Sequence, residues 1–370
     1  MWVLGPLAAS AFAQAQPALK TYQTKYYVLH TDLDEDGVQE ATLRITLMAE
    51  EYHQRTRGLA GTVDRRLPFY LFAHKRDYEA AGGMPGSAGV FTGERLMAAS
   101  NPANPAGTWY AVQHEGFHQF VAAAIGGGIP MWANEGLAEY FGQGLFTGDQ
   151  FITGFIPAGR LKRVQDTLAK GKFESLRDMM LMPAADWNAE LRRENYDEAW
   201  AMVQFLAHGD DGKYQQAFIA FLRDVSRGTE WEKAWVKNLG SDVKAFQARW
   251  EEYWRSLPEN PTLDLYAEAT VATMTSFFAR ALAQRQKFET FDEFLQAAQT
   301  GRLKAARQDW LPPSLLKEAL ELVPHVGDWS LAHQPGRWLV VCRTLDGAVL
   351  QGSFKLDNNH VKSVTVKPTR

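Results

Sequence analysis

Two histidines and a glutamate have the types and spacing of a metal-dependent hydrolytic site. His114 and His118 are four residues apart, about one helical turn, so both imidazoles can bind one metal ion from one helix face. Glu115 follows His114 directly, where its carboxylate can accept a proton from a water activated by the metal. This is the H-E-x-x-H pattern, which indicates two zinc ligands and a general base.

The surrounding residues predict two helices joined by a tight reversal. Apolar residues recur at helical spacing over residues 109–124, and the glycines at 126–128, followed by Pro130, end that helix. A second helical run covers residues 132–141, which can return antiparallel beside the first. Gly116 is unusual inside a helix, where glycine costs about 1 kcal/mol relative to alanine. A close backbone approach or a packing accident would explain it.

Two glutamates of the second helix complete the predicted site. A catalytic zinc site uses three protein ligands and leaves a fourth position for water, and Glu135 fits the third role. Glu139, one turn further on, could accept the ring N–H of a ligating histidine and so fix its orientation. The alternatives are ordinary helix histidines, a degenerate site without turnover, and solvated surface charges at Glu135 and Glu139.

The two segments H-E-G-F-H and I-P-M-W-A-N-E-G-L-A-E-Y-F resemble the gluzincin metallopeptidases of the peptidase MA clan. More narrowly, the chain is similar to a branch of exported bacterial peptidase-MA-like proteins. That similarity includes residues 25–32, 89–91 and 196–201 and spans roughly residues 20–256. It implies a zincin-like fold, a peptide or protein substrate and one Zn²⁺ per chain. It also implies that His114, His118 and Glu135 are the zinc ligands and that Glu115 is the base.

The resemblance also implies a donor for the oxyanion. Related gluzincins use a tyrosine or histidine from the helical region that follows the third ligand. Tyr196 is the candidate that the resemblance supports, and His208 is the alternative. Each has a structural interpretation as well: Tyr196 as a core tyrosine, and His208, beside Gly209, as a residue that caps a helix end.

Two functions remain open at this stage. One is a zinc peptidase, and the other is a catalytically silent envelope scaffold or binding protein that keeps the metallopeptidase fold. The intact set of ligands and base favours the peptidase, because a scaffold needs no general base. Aminopeptidase action is less expected, since residues 89–99 lack the Gly-x-Met-x-Asn motif of those relatives. The substrate, the endo or exo mode and the oligomeric state are not predicted.

Composition narrows the class of protein. The 370 residues suit two domains, and a hydrophobic content of 46% provides a sizeable core. The net charge of −4 and the scattered Lys and Arg argue against a nucleic-acid partner. The single Cys342 excludes an intrachain disulfide and a cysteine metal site. No apolar segment reaches the length of about 20 residues that a transmembrane helix needs.

The first residues predict export. Residues 2–13 are apolar and end in Ala11-Phe12-Ala13, an A-x-A-type cleavage site, although no basic residue precedes Lys20. We expect a signal peptide over residues 1–13 and a periplasmic, extracellular or envelope location. The missing basic residues mean either that the true start lies upstream or that this segment is not a signal peptide. The alternative is an ordinary buried or frayed N-terminus.

The order of elements predicts an α+β fold. A strand at 26–30, a helix at 39–57, a strand at 67–73 and a hairpin or edge strand at 89–99 would form a small mixed sheet before the metal helices. We predict a zincin-like metallopeptidase domain over residues 20–257, with the sheet and metal helices at 20–145 and a helical subdomain at 146–257. A helical segment at 258–326 and a small antiparallel β meander of three or four strands at 327–370 follow it.

One segment resembles a calcium-binding loop, but we predict that it is not a calcium site. Residues 32–37, D-L-D-E-D-G, copy the start of an EF-hand loop, but Leu43 stands where a bidentate glutamate is required. We interpret this segment as an acidic turn that caps the next helix.

Overall fold

A computed structural model describes residues 18–126, 128–183, 186–187, 193–334 and 336–369. The predicted signal peptide at residues 1–13 lies outside them. The fold is α+β, as expected. Among the described residues, no helix has the length and apolar character needed to cross a lipid bilayer.

The N-terminal part is a five-stranded mixed sheet with strand order β1-β2-β3-β5-β4. Strands β2, β3 and β5 are parallel, and β1 and β4 are antiparallel at the two edges. The predicted strands and hairpin are confirmed, whereas the short edge strand β1 was not predicted. The strands are β1 Lys20–Gln23, β2 Tyr27–Thr31, β3 Leu67–Phe72, β4 Gly89–Phe91 and β5 Leu96–Ala99.

Helix α1, Glu35–Arg55, connects β2 to β3 and packs its apolar face on the sheet. Asp34 is its N-cap, and its side chain accepts a hydrogen bond of 2.8 Å from the Gly37 N–H. Glu35 and Asp36 add negative charge to the first turn, which suits the helix dipole. The acidic segment is therefore a helix cap, as predicted. A short unpredicted helix, α2 Lys75–Ala80, follows β3.

The metal helices are α3, Pro105–Phe120, and α4, Met131–Gly142. A single π-helical turn, Val121–Ile125, follows α3 and ends at Gly126, whose φ of 81° only glycine adopts readily. The predicted reversal and the predicted second helix are confirmed. A Cβ at Gly116 would lie 2.8 Å from Met48 Cε, so the glycine allows α1 to pack closely on α3.

A helical region follows. Its most extensive contact with the metal helices is made by α7, Arg193–Gly212. A Cβ on Gly136 would lie 2.4 Å from the Ala199 carbonyl oxygen, so only glycine allows α4 this close to α7. Near its C-terminal end α7 is kinked, because Gly209–Asp211 have non-helical φ/ψ. The helices are α5 Ala158–Ala169, α6 Leu176–Leu181, α7 Arg193–Gly212, α8 Gln215–Ser226, α9 Trp231–Leu239 and α10 Val243–Ser256.

The C-terminal third consists of helices and a four-stranded antiparallel sheet with order β11-β10-β9-β8, as the alternation predicted. Asn358 and Asn359 both have positive φ, the geometry of a tight hairpin turn. The elements are α11 Leu263–Ala283, α12 Phe291–Gln299, α13 Pro313–Val326, β8 Gly327–Gln334, β9 Arg337–Thr344, β10 Val349–Asp357 and β11 His360–Thr369.

These C-terminal helices pack against the part of the chain that precedes residue 258. Arg280 of α11 forms two hydrogen bonds of 2.9 and 3.0 Å with the Asp149 carboxylate. Leu311 and Leu315 belong to the same buried cluster as the sheet and the metal helices. This hydrophobic cluster therefore extends across the predicted boundary between residues 257 and 258.

Candidate metal centre

Three predicted ligands converge at the contact between α3 and α4. His118 Nε2 lies 3.2 Å from His114 Nε2, and each of these nitrogens lies 3.5 Å from Glu135 Oε2. All three side chains are between 11% and 14% exposed. The structure thus brings together His114, His118 and Glu135, as the sequence predicted, and these three could hold a metal ion.

The spacing of these atoms suits a small tetrahedral cation. Two ligands at about 2.0–2.1 Å from a tetrahedral zinc ion are about 3.3–3.4 Å apart. The observed separations of 3.2, 3.5 and 3.5 Å lie close to that value. Two imidazoles and one carboxylate are also a donor set that zinc accepts and that calcium and magnesium disfavour. The residues present therefore fit a zinc ion.

The helices position the three donors for simple reasons. One helical turn separates His114 from His118, so their rings share a face of α3. The reversal at Gly126 returns α4 alongside α3, which brings Glu135 to that face. Gln113 fixes the pairing, because its side-chain amide donates to the carbonyls of Phe141 and Gly144 at the end of α4.

The charges at the site favour a cation. Burial disfavours the charged form of His114, but contacts with Glu135 and Glu139 outweigh burial and raise the pKa of His114 to about 10. Burial raises the pKa of the Glu135 carboxyl, but contacts with His114 and His118 outweigh burial and lower that pKa to about 2. A metal ion bound here would compete with protons for the imidazoles, and binding would release protons.

Glu139 supports His114 from behind. Glu139 Oε1 lies 3.2 Å from His114 Nδ1, the ring nitrogen that faces away from the other ligands. The second oxygen, Oε2, accepts a hydrogen bond of 2.6 Å from the Tyr110 hydroxyl and lies 2.6 Å from Arg160 Nη2. Glu139 therefore lies within ion-pair distance of the ring that the sequence predicted it to orient, and the orienting role stays a prediction. Neither His114 Nδ1 nor His118 Nδ1 makes a hydrogen bond of standard geometry within the described residues.

Arg160, in α5, links this carboxylate to a larger buried network that sequence reasoning missed. Its Nε donates to Asp197 Oδ1 over 2.7 Å, and its guanidinium lies 4.7 Å from the Trp200 ring centre. Asp197 also accepts hydrogen bonds of 2.6 and 2.9 Å from Arg163. Nothing in the local sequence indicates these partners, because Arg160 stands in a polar stretch that reads as a solvated helix.

The predicted base, Glu115, lies beside the ligands and contacts the sheet. The backbone N–H of Phe91, in edge strand β4, donates a hydrogen bond of 2.8 Å to Glu115 Oε2. One carboxylate oxygen is thus held by the strand, and the half-buried side chain borders a cavity.

The structure distinguishes the two predicted oxyanion donors by position. A cavity of about 670 Å³ is lined by His114, Glu115, Glu139 and Tyr196. Burial and the charge of Glu135 raise the pKa of the Tyr196 phenol, which keeps it protonated and able to donate. His208 lines a different cavity, where its Nε2 lies 2.8 Å from the Tyr140 hydroxyl and where burial lowers its pKa to about 4.

Comparison with known proteins gives one partial match. Residues 109–231 are similar to a family described as "Protein of unknown function (DUF1570)". The matched span contains the three metal-site residues, the glutamate beside them and Tyr196. The family description states no function, so the match identifies no peptidase family. No curated protein matches the chain.

Proposed function

We propose that this chain is an exported zinc-dependent peptidase with a zincin-like fold. The observation that carries the proposal is the convergence of His114 Nε2, His118 Nε2 and Glu135 Oε2 to separations of 3.2–3.5 Å at the edge of a cavity. A bound zinc ion would supply Lewis acidity, which lowers the pKa of water towards about 7 and polarises a carbonyl group. Export rests on the sequence of residues 1–13 alone.

The side chains around the cavity have distinct roles in this proposal. Glu115 accepts the proton of the attacking water and passes it to the leaving amine. The Phe91 N–H holds one oxygen of Glu115, which fixes the orientation of the carboxylate. Tyr196, protonated at neutral pH, donates a hydrogen bond to the oxyanion that develops on the substrate carbonyl. Glu139 orients His114.

Metal analysis and hydrolysis of an unstructured protein such as casein test the proposal together. We expect about one zinc per chain, and we expect His118→Ala to lose zinc and hydrolysis together. Glu115→Gln should keep zinc and lose hydrolysis, because an amide cannot accept the proton. His74→Ala is a matched control, because His74 is exposed and its side chain does not cap α2.

The same variants separate a peptidase from a silent scaffold. Stoichiometric zinc in His118→Ala would contradict the ligand assignment. Wild-type turnover by Glu115→Gln would contradict the role of the base. Full zinc content in the wild-type protein, without hydrolysis of any peptide in a mixed library, would favour a binding scaffold that retains the metal centre.

A further inference from the structure

A second cavity, of about 960 Å³, lies between the end of α11 and the C-terminal sheet, away from the metal centre. Basic side chains from three separate stretches of chain surround it, and Asp357 is the acidic residue among those lining it. All five basic side chains are exposed, and they are Arg285, Lys287, Arg337, Lys355 and Lys362.

These five cations have no ion-pair partner within the part of the chain that the structure describes. Other exposed arginines do have one: Arg307, for example, pairs with Glu35 and Asp36. Like charges gathered around a concave surface repel one another, and a bound anion relieves that repulsion. The cluster is also unexpected for a chain whose net charge is −4.

The basic surface continues beyond the cavity. Gln286 donates to the Arg302 carbonyl over 3.0 Å and accepts a hydrogen bond of 2.7 Å from the Lys304 backbone N–H. The segment carrying these two further cations therefore runs beside the cavity. Arg285 has a φ of 59° just after the end of α11, in a conformation that favours glycine. An arginine there is consistent with a requirement for its side chain.

The floor of the cavity is aromatic but recessed. Trp338 and Phe354 are half-buried, and both rings meet Phe278 edge-on with centroids 6.0 and 6.1 Å apart. Rings that are only partly exposed offer less surface for insertion into a bilayer or for stacking of unpaired bases than open rings do. A ligand in the cavity would contact the cations and the exposed parts of these rings.

We propose that this cavity binds a linear acidic polysaccharide, a chain with repeated carboxylate groups. The cations come from three separate stretches of chain, and the neighbouring residues 302–304 add two more, so the surface offers several positive charges to a ligand with repeated negative groups. The recessed apolar floor can contact the C–H faces of sugar rings. This proposal is independent of the proposed peptidase activity.

Titration calorimetry on the full chain tests the proposal with a galacturonate oligomer as the probe. The comparison ligands are a neutral galactose oligomer of the same length, an oligothymidylate of the same charge, and phosphatidylglycerol vesicles. The cavity variant combines Arg337→Gln, Lys355→Gln and Lys362→Gln. The control removes the same charge elsewhere through Lys170→Gln, Lys172→Gln and Lys244→Gln, three exposed lysines outside the cavity that make no ion pair with the described residues.

We expect the galacturonate oligomer to bind, with weaker binding at higher salt. The cavity variant should bind about tenfold more weakly or worse, and the control within about twofold of wild type, because each exposed charge contributes modestly. Equal loss in both variants, or binding of the neutral oligomer as tightly as the acidic one, would overturn the proposal. So would tighter binding of oligothymidylate, binding of the vesicles alone, or absence of galacturonate binding at low salt. Unchanged circular dichroism of the cavity variant verifies its fold.

Discussion

Replacement of Arg160 offers a demanding test of how the metal centre is held. In the folded protein its guanidinium contacts Glu139 Oε2 at 2.6 Å, Asp197 Oδ1 at 2.7 Å and the Tyr196 carbonyl oxygen at 3.3 Å. Both carboxylates are buried, and so is the arginine. Arg160→Gln removes the charge and most of these donors, while it leaves the helix intact.

The expected loss of folding stability in Arg160→Gln follows from the partners that the two carboxylates keep. Removal of one member of a buried ion pair costs about 3–5 kcal/mol. Asp197 keeps its two hydrogen bonds from Arg163, and Glu139 keeps Tyr110 and His114, so we expect the lower end, about 3 kcal/mol. Because we propose that Glu139 orients His114, we also expect zinc affinity to fall by about 10- to 100-fold, the usual effect of losing support behind a ligand.

Two measurements separate these effects. Urea unfolding gives the loss of stability, and competition with a chromophoric chelator gives zinc affinity of the folded protein. The control is Lys162→Gln on the same helix, where the pair with Asp166 is exposed and should contribute less than about 1 kcal/mol. If Arg160→Gln does not fold, Tyr110→Phe removes the other hydrogen bond to Glu139 Oε2, at a cost of about 1 kcal/mol.

One result would refute the reasoning. If Arg160→Gln, or Tyr110→Phe in its place, loses stability but binds zinc as tightly as the wild type, the network is structural and does not position His114. A loss of zinc affinity as large in Lys162→Gln would show that the effect is not specific to this network.

Three further predictions concern other parts of the chain. Tyr196→Phe should lower kcat by about 100- to 1000-fold with little change in KM or zinc content, and unchanged kcat would exclude the oxyanion role. Burial raises the pKa of the Glu198 carboxyl to about 8. The folded state thus holds a proton that the unfolded state releases above the ordinary pKa of 4.5, so this group's stability contribution falls as pH rises from about 4.5 to 8. Glu198→Gln should flatten that part of the stability–pH curve measured by urea unfolding. The control is Glu259→Gln, because Glu259 is exposed and is not among the neighbours that shift the pKa of Glu198. An unchanged slope in Glu198→Gln would contradict the assignment. A chain ending at Leu257 should still bind zinc in metal analysis. It should unfold more easily, because Asp149 loses its ion pair with Arg280. A folded truncation without zinc would show that the C-terminal part helps build the site.

Sequence reasoning succeeded where the placement of a residue depends on local spacing. The pairing of His114 with His118 needs only one helical turn, and Glu135 needs only a reversal that three glycines signal. The acidic cap of α1 at Asp34 was equally local. In each case the physical cause lies within a few residues of the effect.

The features of the site that the sequence did not predict depend on contacts between distant segments. Arg160 and Tyr110 meet at Glu139 although 50 residues separate them in the sequence, and a single sequence contains no pattern that pairs them. The basic cavity was missed for the same reason. Its cations come from residues 285–287, 337 and 355–362, so the sequence shows scattered charges instead of a basic block.

The glycine of α4 beside the metal site has a consequence for how the ligands are placed. A Cβ on Gly136 would lie 2.4 Å from the Ala199 carbonyl oxygen, and that neighbour is backbone, so a side chain at this position would require α4 or α7 to shift. Glu135 directly precedes Gly136 in the same helix and would move with it. The separations of 3.2–3.5 Å between the candidate ligand atoms therefore depend in part on a residue that offers no atom to a metal.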